Sequence, residues 1–372
     1  MNLDLNFEQD MLRSASRDFF DRQCDLTKVS KLLATDAGFS TDMWRQMAEL
    51  GWHGVLVPEH QGGIGLSMLE MAVLAMEIGA AVSPGPFFAS SIFSTLLLAE
   101  AADDRWQSAL LPGMAAGERI TTAAYCGESH HFQAAGVPFN ARRAESGWVL
   151  EGRALFVPYA HIADTLIVAA RMEDLSISLF VIDLDRDGIA VEGLETIASD
   201  KLCVVTLDGV QVPDDSTLGP AGEGWDILDA AMKKAAVAKS AEMVGGGRAA
   251  MHMAVEHARI REQFGHPIGS FQAVQHHCAN MLTYLESATL ITWKAAWLVA
   301  EGRECDAEVA ICKGWTSDAY RKLVALAHQV MGGVGFIEET GLHLYFRHAK
   351  ASELALGGAT YHREKLAQAV GL

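Results

Sequence analysis

The spacing of apolar residues changes twice along the chain and divides it into a helical, a strand-rich and a second helical part. In the first third, apolar residues recur every three or four positions, which predicts amphipathic helices. The stretch MLEMAVLAMEIGA, residues 68–80, is apolar on nearly every face and predicts a helix buried between neighbours. Segment 51–65 contains several glycines and a proline and predicts an irregular loop. The residues that predict the first helix are Phe7, Met11, Leu12 and Ala15.

Short runs of β-branched and aromatic residues begin near residue 119 and alternate with turn signals. They predict an antiparallel sandwich or barrel of about 100 residues. From Trp225 the helical spacing returns, and residues 272–299 carry one broad apolar stripe, which predicts a helical bundle that also packs against other subunits. We therefore expect an α+β multidomain chain, with an N-terminal helical domain over 1–118, a central antiparallel β-domain over 119–222 and a C-terminal helical bundle over 223–372.

Composition and charge exclude some classes of partner. The chain has 372 residues, more than the roughly 250–300 at which a single core stops growing, and half of them are hydrophobic. The 29 basic and 47 acidic residues give a formal net charge of −18. A field of that sign repels nucleic acid and anionic membrane surfaces, so we expect neither as a partner. A nucleotide ligand would need a local basic or helix-terminal site.

The cysteines and the N-terminus indicate a cytoplasmic protein. The six cysteines are scattered without CxxC spacing, and we expect buried or half-buried thiols in a reducing compartment. No apolar signal-peptide core and no apolar stretch of about 18 residues is present, so we expect no membrane span. The histidines lack carboxylate or cysteine partners at ligand spacing, and no metal site is predicted.

Two glycine motifs have structural interpretations. The sequence GGVG, residues 332–335, follows a predicted helix instead of a strand, so it does not predict a Rossmann fold. Gly245, Gly246 and Gly247 lie inside a predicted helix, where glycine is unfavourable relative to alanine. They indicate the close approach of another helix or of a ligand, and helix packing is the preferred interpretation.

Three local patterns follow one another on this frame: GWHGVLVPEHQGGIG (51–65), REQFGHPIGSFQAVQH (261–276) and HQVMGGVGFIEETGLHLYFRHAK (328–350). Together they resemble the acyl-CoA dehydrogenase family, from about residue 3 to about residue 368. The resemblance implies a C-terminal four-helix bundle, bound FAD and a dimer of dimers. It implies an oxidoreductase of lipid or steroid catabolism that desaturates the CH–CH bond of an acyl-CoA and passes electrons to an electron-transfer flavoprotein.

The second motif carries residues suited to a dinucleotide. The guanidinium of Arg261 offers a fixed fork of donors that fits a pyrophosphate, and Phe264 can pack on a ring or a sugar. Gln272, at the start of the next predicted helix, can hydrogen-bond adenosine or ribose groups. In the family, these positions contact the AMP half of the FAD that is bound to the neighbouring subunit.

The third motif contributes to the same surface. Gln329 lies near the end of a predicted helix, and Gly332 and Gly333 close it in a conformation that lets main-chain N–H groups approach a phosphate or a ribose. The resemblance places these residues, too, against the AMP half of FAD.

The residues expected beside the flavin ring depart from the family pattern. The family's TEP-x-x-GSD loop is absent, because Tyr125 and Cys126 are followed by residues 127–131 with the sequence GESHH. The family next presents an aromatic residue, any residue and a threonine beside flavin N5, and here the match is Phe156, Val157 and Pro158. Phe156 can still line the ring, but Pro158 has neither hydroxyl nor N–H to donate.

Both family positions for the catalytic glutamate hold apolar residues. The glutamate that follows the family's RDAK helix corresponds to Leu356, and the alternative position on the helix before the RxxFG motif corresponds to Ala235. Desaturation requires a carboxylate that removes the α-proton. Glu242 and Glu353 lie nearest in sequence, and we expect them to be ordinary surface or ion-paired carboxylates. The identity of the catalytic residue is therefore left open.

Three hypotheses follow from the empty base positions. A sister chain supplies the base and the flavin-ring pocket to a heterotetramer, while this chain supplies Arg261, Phe264, Gln272 and Gln329 to that FAD. Alternatively, the chain is a self-sufficient homotetrameric flavoenzyme with an unorthodox base, or a catalytically inactive structural relative. The resemblance favours the first hypothesis, because some bacterial members that act on steroid side-chain CoA thioesters pair a base-bearing chain with a base-less one.

Overall fold

The structure is a computed structural model and describes residues 4–128 and 132–372. Within these ranges, helices precede and follow a block of strands, as the apolar spacing predicts. The N-terminal helices are α1 (Phe7–Gln23), α2 (Leu26–Leu33), α3 (Thr41–Glu49), α4 (Met68–Ala80), α5 (Thr95–Ala101) and α6 (Asp104–Ala115). The predicted loop over 51–65 holds only short 3-10 turns at Trp52–Gly54 and Glu59–Gln61.

The strands of the central sheet are β1 (Thr121–Ala124), β2 (Phe139–Ala144), β3 (Gly147–Pro158), β4 (Thr165–Arg171), β5 (Ile177–Asp183), β6 (Ile189–Gly193), β7 (Leu202–Val212) and β8 (Thr217–Leu218). Their order is β6-β7-β3-β2-β4-β5-β8, and β1 also pairs with β4. Phe139, Leu150 and Phe180 are fully buried in the core of this sheet.

The sheet is mixed, so the prediction of a purely antiparallel domain was wrong. β1 runs parallel to β4, with Thr121 opposite Thr165, and β2 also runs parallel to β4. The remaining pairings along the sheet are antiparallel. β1 is buried over its whole length, and β4 over all but its last residue. Such continuous burial is typical of parallel strands, whereas side-chain alternation alone does not reveal the direction of a partner strand.

The C-terminal region is helical, as predicted. Its helices are α7 (Gly224–Ile260), α8 (Gln272–Ala300), α9 (Asp306–Met331), α10 (Leu342–Leu354) and α11 (Ala359–Ala369), and a two-stranded hairpin of β9 (Glu262–Gln263) and β10 (His266–Pro267) joins α7 to α8.

The chain divides into two compact units. One is helical and comprises the described residues within 1–31, 67–83 and 236–372, and the other comprises those within 32–66 and 84–235, including the central sheet. The three domains at 1–118, 119–222 and 223–372 remain a prediction.

Helices α4 and α7 of the helical unit cross at glycines. A Cβ atom on Gly245 would overlap the carbonyl oxygen of Met76, and one on Gly79 would overlap the carbonyl oxygen of Glu242. Because a backbone carbonyl cannot move aside as a flexible side chain can, only glycine permits this approach. The preferred interpretation of the glycine run as a helix-packing device is confirmed.

Buried charge also links the helices of this unit. The Glu77 carboxylate on α4 is 3% exposed and accepts bonds from Arg17 on α1 at 3.1 Å and from Arg248 on α7 at 2.8 Å. A buried carboxylate is tolerated when its charge is paired and its lone pairs are hydrogen-bonded. The pairing therefore fixes how α1, α4 and α7 pack.

The described residues contain no helix long and apolar enough to cross a membrane. In the same ranges, no three histidine, cysteine or acidic side chains lie close enough together to hold a metal ion. Four of the six cysteines are buried and two are half-buried, which confirms that expectation.

Candidate functional site

Helices α8 and α9 are antiparallel, which fixes the relative position of their ends. Lys294 pairs with Glu308 at 3.2 Å, and the indole nitrogen of Trp315 donates to the Ser287 hydroxyl at 2.9 Å. Residue numbers thus fall along α8 as they rise along α9. The start of α8, with Gln272, therefore lies at the same end as the close of α9, with Gln329.

The C-terminus of α7 reaches this end as well. A Cβ on Gly247 would lie 3.7 Å from Leu285, and one on Gly269 would lie 2.9 Å from the carbonyl oxygen of Ala258. These contacts set α7 antiparallel to α8. The residues predicted to contact the AMP half of FAD thus occur on three helix ends at one side of the unit. We call them the helix-end surface: Arg261, Phe264, Gln272, Gln329, Gly332 and Gly333.

Phe264 lies at the tip of the β9–β10 hairpin in a conformation that exposes its ring. Phe264 and Gly265 both have positive φ, 54° and 78°, as a two-residue hairpin turn of type I′ requires. The left-handed region is unfavourable for a bulky side chain, yet Phe264 is 91% exposed, and its ring stands edge-to-face with that of Phe271 at a centroid distance of 6.2 Å. An exposed ring on a strained turn is the arrangement expected of a ligand contact.

The main chain of Arg261 is fixed while its side chain is exposed. Its N–H donates to the carbonyl of His257 at 2.9 Å, and its own carbonyl accepts from Ile268 at 2.8 Å. Partial burial, with the nearby charge of Arg261, lowers the pKa of the His257 imidazole one helical turn earlier. The guanidinium is therefore presented to solvent from a rigid helix end.

The end of α9 offers open backbone. Gln329 is exposed, and Gly332 has φ 59° and ψ −139°. A Cβ placed on Gly332 or on Gly333 would meet no atom within 4 Å. A phosphate or a sugar can therefore reach the main chain here, as the predicted contact with the AMP half of FAD requires.

The residues expected beside a flavin ring come together in the other compact unit, around β1 and β3. The N–H of Leu155 donates to the carbonyl of Cys126 at 2.8 Å, and the Thr122 hydroxyl donates to the carbonyl of Pro158 at 2.7 Å. These bonds hold the segment with Tyr125 beside the strand end that carries Phe156.

Phe156 stands at an irregularity of β3. The register of β3 against β7 shifts between Ala154 and Val157, and Phe156 adopts φ 58° with 37% of its surface exposed. Pro158 offers no donor, and its carbonyl is engaged by Thr122. Compared with the family pattern, the strand end thus has the aromatic residue and lacks the threonine hydroxyl. The predicted departure at residues 129–131 lies outside the described residues.

Both predicted base positions are buried and apolar. Leu356 is 6% exposed and Ala235 is fully buried. Leu356 has φ 57°, and its carbonyl accepts a bond from the Nε2 of His362 at 3.0 Å. Neither position supplies a proton acceptor.

Glu242 is an ion-paired carboxylate inside the helical unit. Its Oε2 accepts from Lys239 Nζ at 2.6 Å, and its Oε1 accepts from His348 Nε2 at 2.8 Å. Burial would raise the pKa of this carboxyl, but the charge of Lys239 and the bond from His348 outweigh it and hold the pKa at about 2. A carboxylate so strongly stabilised is a poor general base at neutral pH.

Glu353 is also engaged in ion pairs. Its carboxylate is 15% exposed and lies 3.2 Å from Lys350 Nζ and 3.9 Å from Arg321 Nε. The expectation that Glu242 and Glu353 are ion-paired side chains thus agrees with their observed contacts.

Sequence reasoning missed a buried lysine beside the loop that carries Leu356. Lys313 on α9 is fully buried and donates to the carbonyls of Glu353 and Gly357. The signal was present in the sequence, since Lys313 falls within the helical stripe that includes Val309 and Tyr320.

The free energy of unfolding should fall as the pH drops from 6.5 to 4. Burial lowers the pKa of His53 to about 4, and burial together with the charge of Lys313 lowers that of His362 to about 4. Because the unfolded value is near 6.5, the unfolded chain takes up protons first, and each histidine accounts for up to about 3 kcal/mol. Urea denaturation between pH 4 and 7 measures the slope. His362→Gln should flatten it and exposed His60→Gln should not, whereas equal slopes would contradict this origin.

The chain belongs to the acyl-CoA dehydrogenase family. Residues 6–118 match the family model described as acyl-CoA dehydrogenase, N-terminal domain, and residues 222–371 match acyl-CoA dehydrogenase, C-terminal domain. This membership confirms the class predicted from the three motifs. The family comprises FAD-dependent oxidoreductases that act on the CH–CH bond of acyl-CoA thioesters.

Similar proteins include members connected with steroids and with complexes of two different chains. Acyl-CoA dehydrogenase FadE27 of Mycobacterium tuberculosis is 30% identical over 348 residues, which cover 91% of each chain. A chain of the ChsE4-ChsE5 complex from Mycobacterium tuberculosis superposes with a TM-score of 0.91 at 27% identity, covering 100% of this chain and 99% of that one. A variant of the Tcur3481-Tcur3483 steroid ACAD gives a TM-score of 0.88 at 29% identity, covering 98% and 97%.

Proposed function

We propose that this chain is the base-less subunit of a heteromeric acyl-CoA dehydrogenase, in which a sister chain supplies the catalytic glutamate. One observation carries the proposal. Both family positions for the base hold buried apolar residues, Leu356 and Ala235, and the nearby Glu242 is held at a pKa of about 2 by Lys239 and His348. The chain therefore offers no free carboxylate at either place where the family has its base.

The helix-end surface is the part of this chain that would serve the cofactor. FAD, when bound, supplies the acceptor for the β-hydride, while a carboxylate removes the α-proton. Arg261 would neutralise and orient the pyrophosphate, Phe264 would pack on the adenosine, and the open main chain at Gly332 and Gly333 would approach phosphate or ribose oxygens. Because these groups are exposed, they suit a cofactor held by a neighbouring subunit.

The substrate class follows from the same relatives. ChsE4-ChsE5 is a complex of two named chains, and Tcur3481-Tcur3483 is described as a steroid ACAD. We extend that description to this chain and propose a bulky acyl-CoA, such as a steroid side-chain thioester, as the substrate of the assembled enzyme. An electron-transfer flavoprotein would reoxidise the flavin, and we place the assembly in the cytoplasm.

Expressed alone, the chain should be flavin-poor and inactive, and with a base-bearing sister it should co-purify at equal stoichiometry. The reason is that its flavin-ring residues lack the donor expected beside N5, whereas its helix-end surface leaves Arg261 and Phe264 exposed and the main chain at Gly332 and Gly333 open. Mass analysis of the purified assembly and flavin absorbance per chain provide the measurement. A stable homotetramer with one FAD per chain and turnover of its own would establish the self-sufficient alternative, and a complex with no turnover would favour the inactive relative.

Neutralising either neighbouring glutamate should leave the turnover of the assembled enzyme within about threefold of the parent. A true general base is worth roughly 10²–10⁴ in rate, so its loss would be unmistakable. Glu353→Gln and Glu242→Gln are compared by reduction of an artificial electron acceptor with a panel of acyl-CoA thioesters. Glu242→Gln also removes the partner of buried Lys239, so rates are expressed per folded, flavin-loaded assembly. A hundredfold loss in either variant would show that this chain carries its own base.

A further inference from the structure

Lys313 reaches from α9 to the short segment that joins α10 to α11, residues 355–358, which we call the 356 loop. Its Nζ lies 3.1 Å from the carbonyl oxygen of Glu353 and 3.0 Å from that of Gly357, so the two bonds bracket Leu356. A third contact, at 3.2 Å, joins Nζ to the hydroxyl of Ser317 on the next turn of α9. A fully buried lysine is rare, and the amine of Lys313 is balanced by these three hydrogen-bond partners.

The loop has a conformation that needs such anchors. Leu356 adopts φ 57° and Gly357 adopts φ 92°, and a Cβ on Gly357 would overlap the ring of Tyr361. Leucine is disfavoured in the left-handed region, so neighbouring groups must hold it there. His362 bonds the carbonyl of Leu356 while Lys313 bonds the carbonyls on either side. All three bonds are made to main-chain oxygens and none to the side chain at position 356.

We propose that Lys313 is a positioning residue that holds the 356 loop by its main chain, and that the hydroxyl of Ser317 lets it do so with or without a proton. Position 356 matters because the family places its base there, and in that respect the inference rests on the proposed function. The anchoring of the loop by Lys313 does not depend on that function, because it is inferred from the observed hydrogen bonds.

The donor count supports a clamp that works in both charge states. A charged amine has three N–H donors, which match the two carbonyls and the Ser317 oxygen. A neutral amine has two donors for the carbonyls and a lone pair that can accept from the Ser317 hydroxyl, so the same positions satisfy either form. The second form is accessible, since burial and the charge of Lys239 lower the pKa of Lys313 to about 7.

The groups that face this amine come from four helices. Lys239 on α7 repels a proton on it, whereas the carboxylate of Glu353 on α10 favours one. Burial raises the pKa of the Cys312 thiol on the same helix as Lys313, so this neighbour carries no charge at neutral pH. On α11, the charge of Lys313 in turn lowers the pKa of His362. The amine is therefore balanced near neutrality by its surroundings and not by one partner.

Hydrogen exchange of the purified full-length protein tests the clamp. Lys313→Met keeps the length of the buried chain without its donors, and it should speed exchange at the amides of residues 355–358 at least about tenfold while the amides of α8 keep their protection. Lys322→Met is the matched control, because Lys322 lies on the same helix and contacts the rings of Tyr284 and Trp315 instead of the loop. Unchanged loop exchange in Lys313→Met, or faster exchange throughout the unit, would overturn the proposal.

Ser317→Ala tests the role of the hydroxyl. In the parent, the loop amides should be protected at both pH 6 and pH 8.5, because either form of the amine bonds both carbonyls. In Ser317→Ala the charged amine has one N–H without an acceptor, so loop protection should fall below the parental value more at pH 6 than at pH 8.5. An equal loss at both pH values, or no loss at either, would contradict the two-state clamp. Because these measurements require neither substrate nor a sister chain, their failure is distinguishable from a failure of the proposed function, which turnover of the assembled enzyme reports.

Discussion

Replacing Arg261 with alanine is expected to weaken FAD binding by the assembled enzyme about 10- to 100-fold. The guanidinium is exposed at the rigid end of α7, and its fork of donors suits a pyrophosphate. A hydrogen bond to a charged group contributes about 1.5–3 kcal/mol, and each 1.4 kcal/mol is a factor of ten in affinity. Flavin fluorescence titration of the apo-assembly, together with flavin absorbance per chain after dialysis, provides the measurement.

Two variants make this result specific. Arg261→Lys keeps the charge without the fork and should fall between parent and Arg261→Ala. Arg259→Ala removes an exposed arginine that lies two residues before Arg261 and pairs with Glu256, and this variant should bind FAD as the parent does. If all three variants retained the parental affinity, the helix-end surface would not be a cofactor site.

Replacing Gly245 with alanine is expected to lower the free energy of unfolding by about 3 kcal/mol or more. The added methyl group would overlap the carbonyl oxygen of Met76, and relief requires α4 to move away from α7. Overpacking a well-packed core costs about 1–3 kcal/mol, and a backbone obstacle places this site at the upper end. Urea denaturation followed by circular dichroism measures the loss.

Gly247 lies two residues further along the same helix, and its replacement by alanine is a control that should not lower the free energy of unfolding. A Cβ there would make ordinary contacts of 3.5–3.7 Å with Leu323, Tyr320 and Leu285. Because alanine is favoured over glycine in a helix interior by about 1 kcal/mol, Gly247→Ala should be neutral or stabilising. Equal destabilisation by the two substitutions would mean that helix propensity, and not the crossing with α4, explains the glycine run.

The apolar spacing predicted which segments are helices and strands, but not which side of a helix is buried. In α1, Phe7 and Met11 helped to predict the helix, yet they are 77% and 57% exposed, whereas Gln9 and Ser16 are buried. Gln9 is buried because its side-chain amide bonds the carboxylate of Glu70 at 2.8 Å. Such a partner lies 61 residues away along the chain, and local spacing does not reveal it.

In the candidate site, too, some features can be predicted from the sequence and others depend on residues that are distant along the chain. The residues of the helix-end surface belong to contiguous motifs, so the sequence predicts them as candidates, and the antiparallel helices then bring the ends that carry them to one side. The low pKa of the Glu242 carboxyl could not be predicted from the sequence, because it depends in part on a bond from His348, which lies 106 residues away along the chain. Lys313 is a different case, because its position in the buried stripe of α9 could be read from the sequence although a lysine in a helix is ordinarily exposed. Its role, in contrast, is shown by its bonds to the carbonyls of Glu353 and Gly357.

The helical unit is assembled from segments that leave the ribosome at very different times. α4 is buried at ten of its thirteen positions, and its glycine crossing requires Gly245, which is made 166 residues after Gly79. At about 5–20 residues per second, α4 waits roughly ten to thirty seconds for the surface that covers it. During that time its apolar faces are available to chaperones or to other nascent chains. The crossing of α4 and α7 therefore also sets how long the apolar faces of α4 stay uncovered during synthesis. The yield of folded protein should depend on whether chaperones cover these faces during that time.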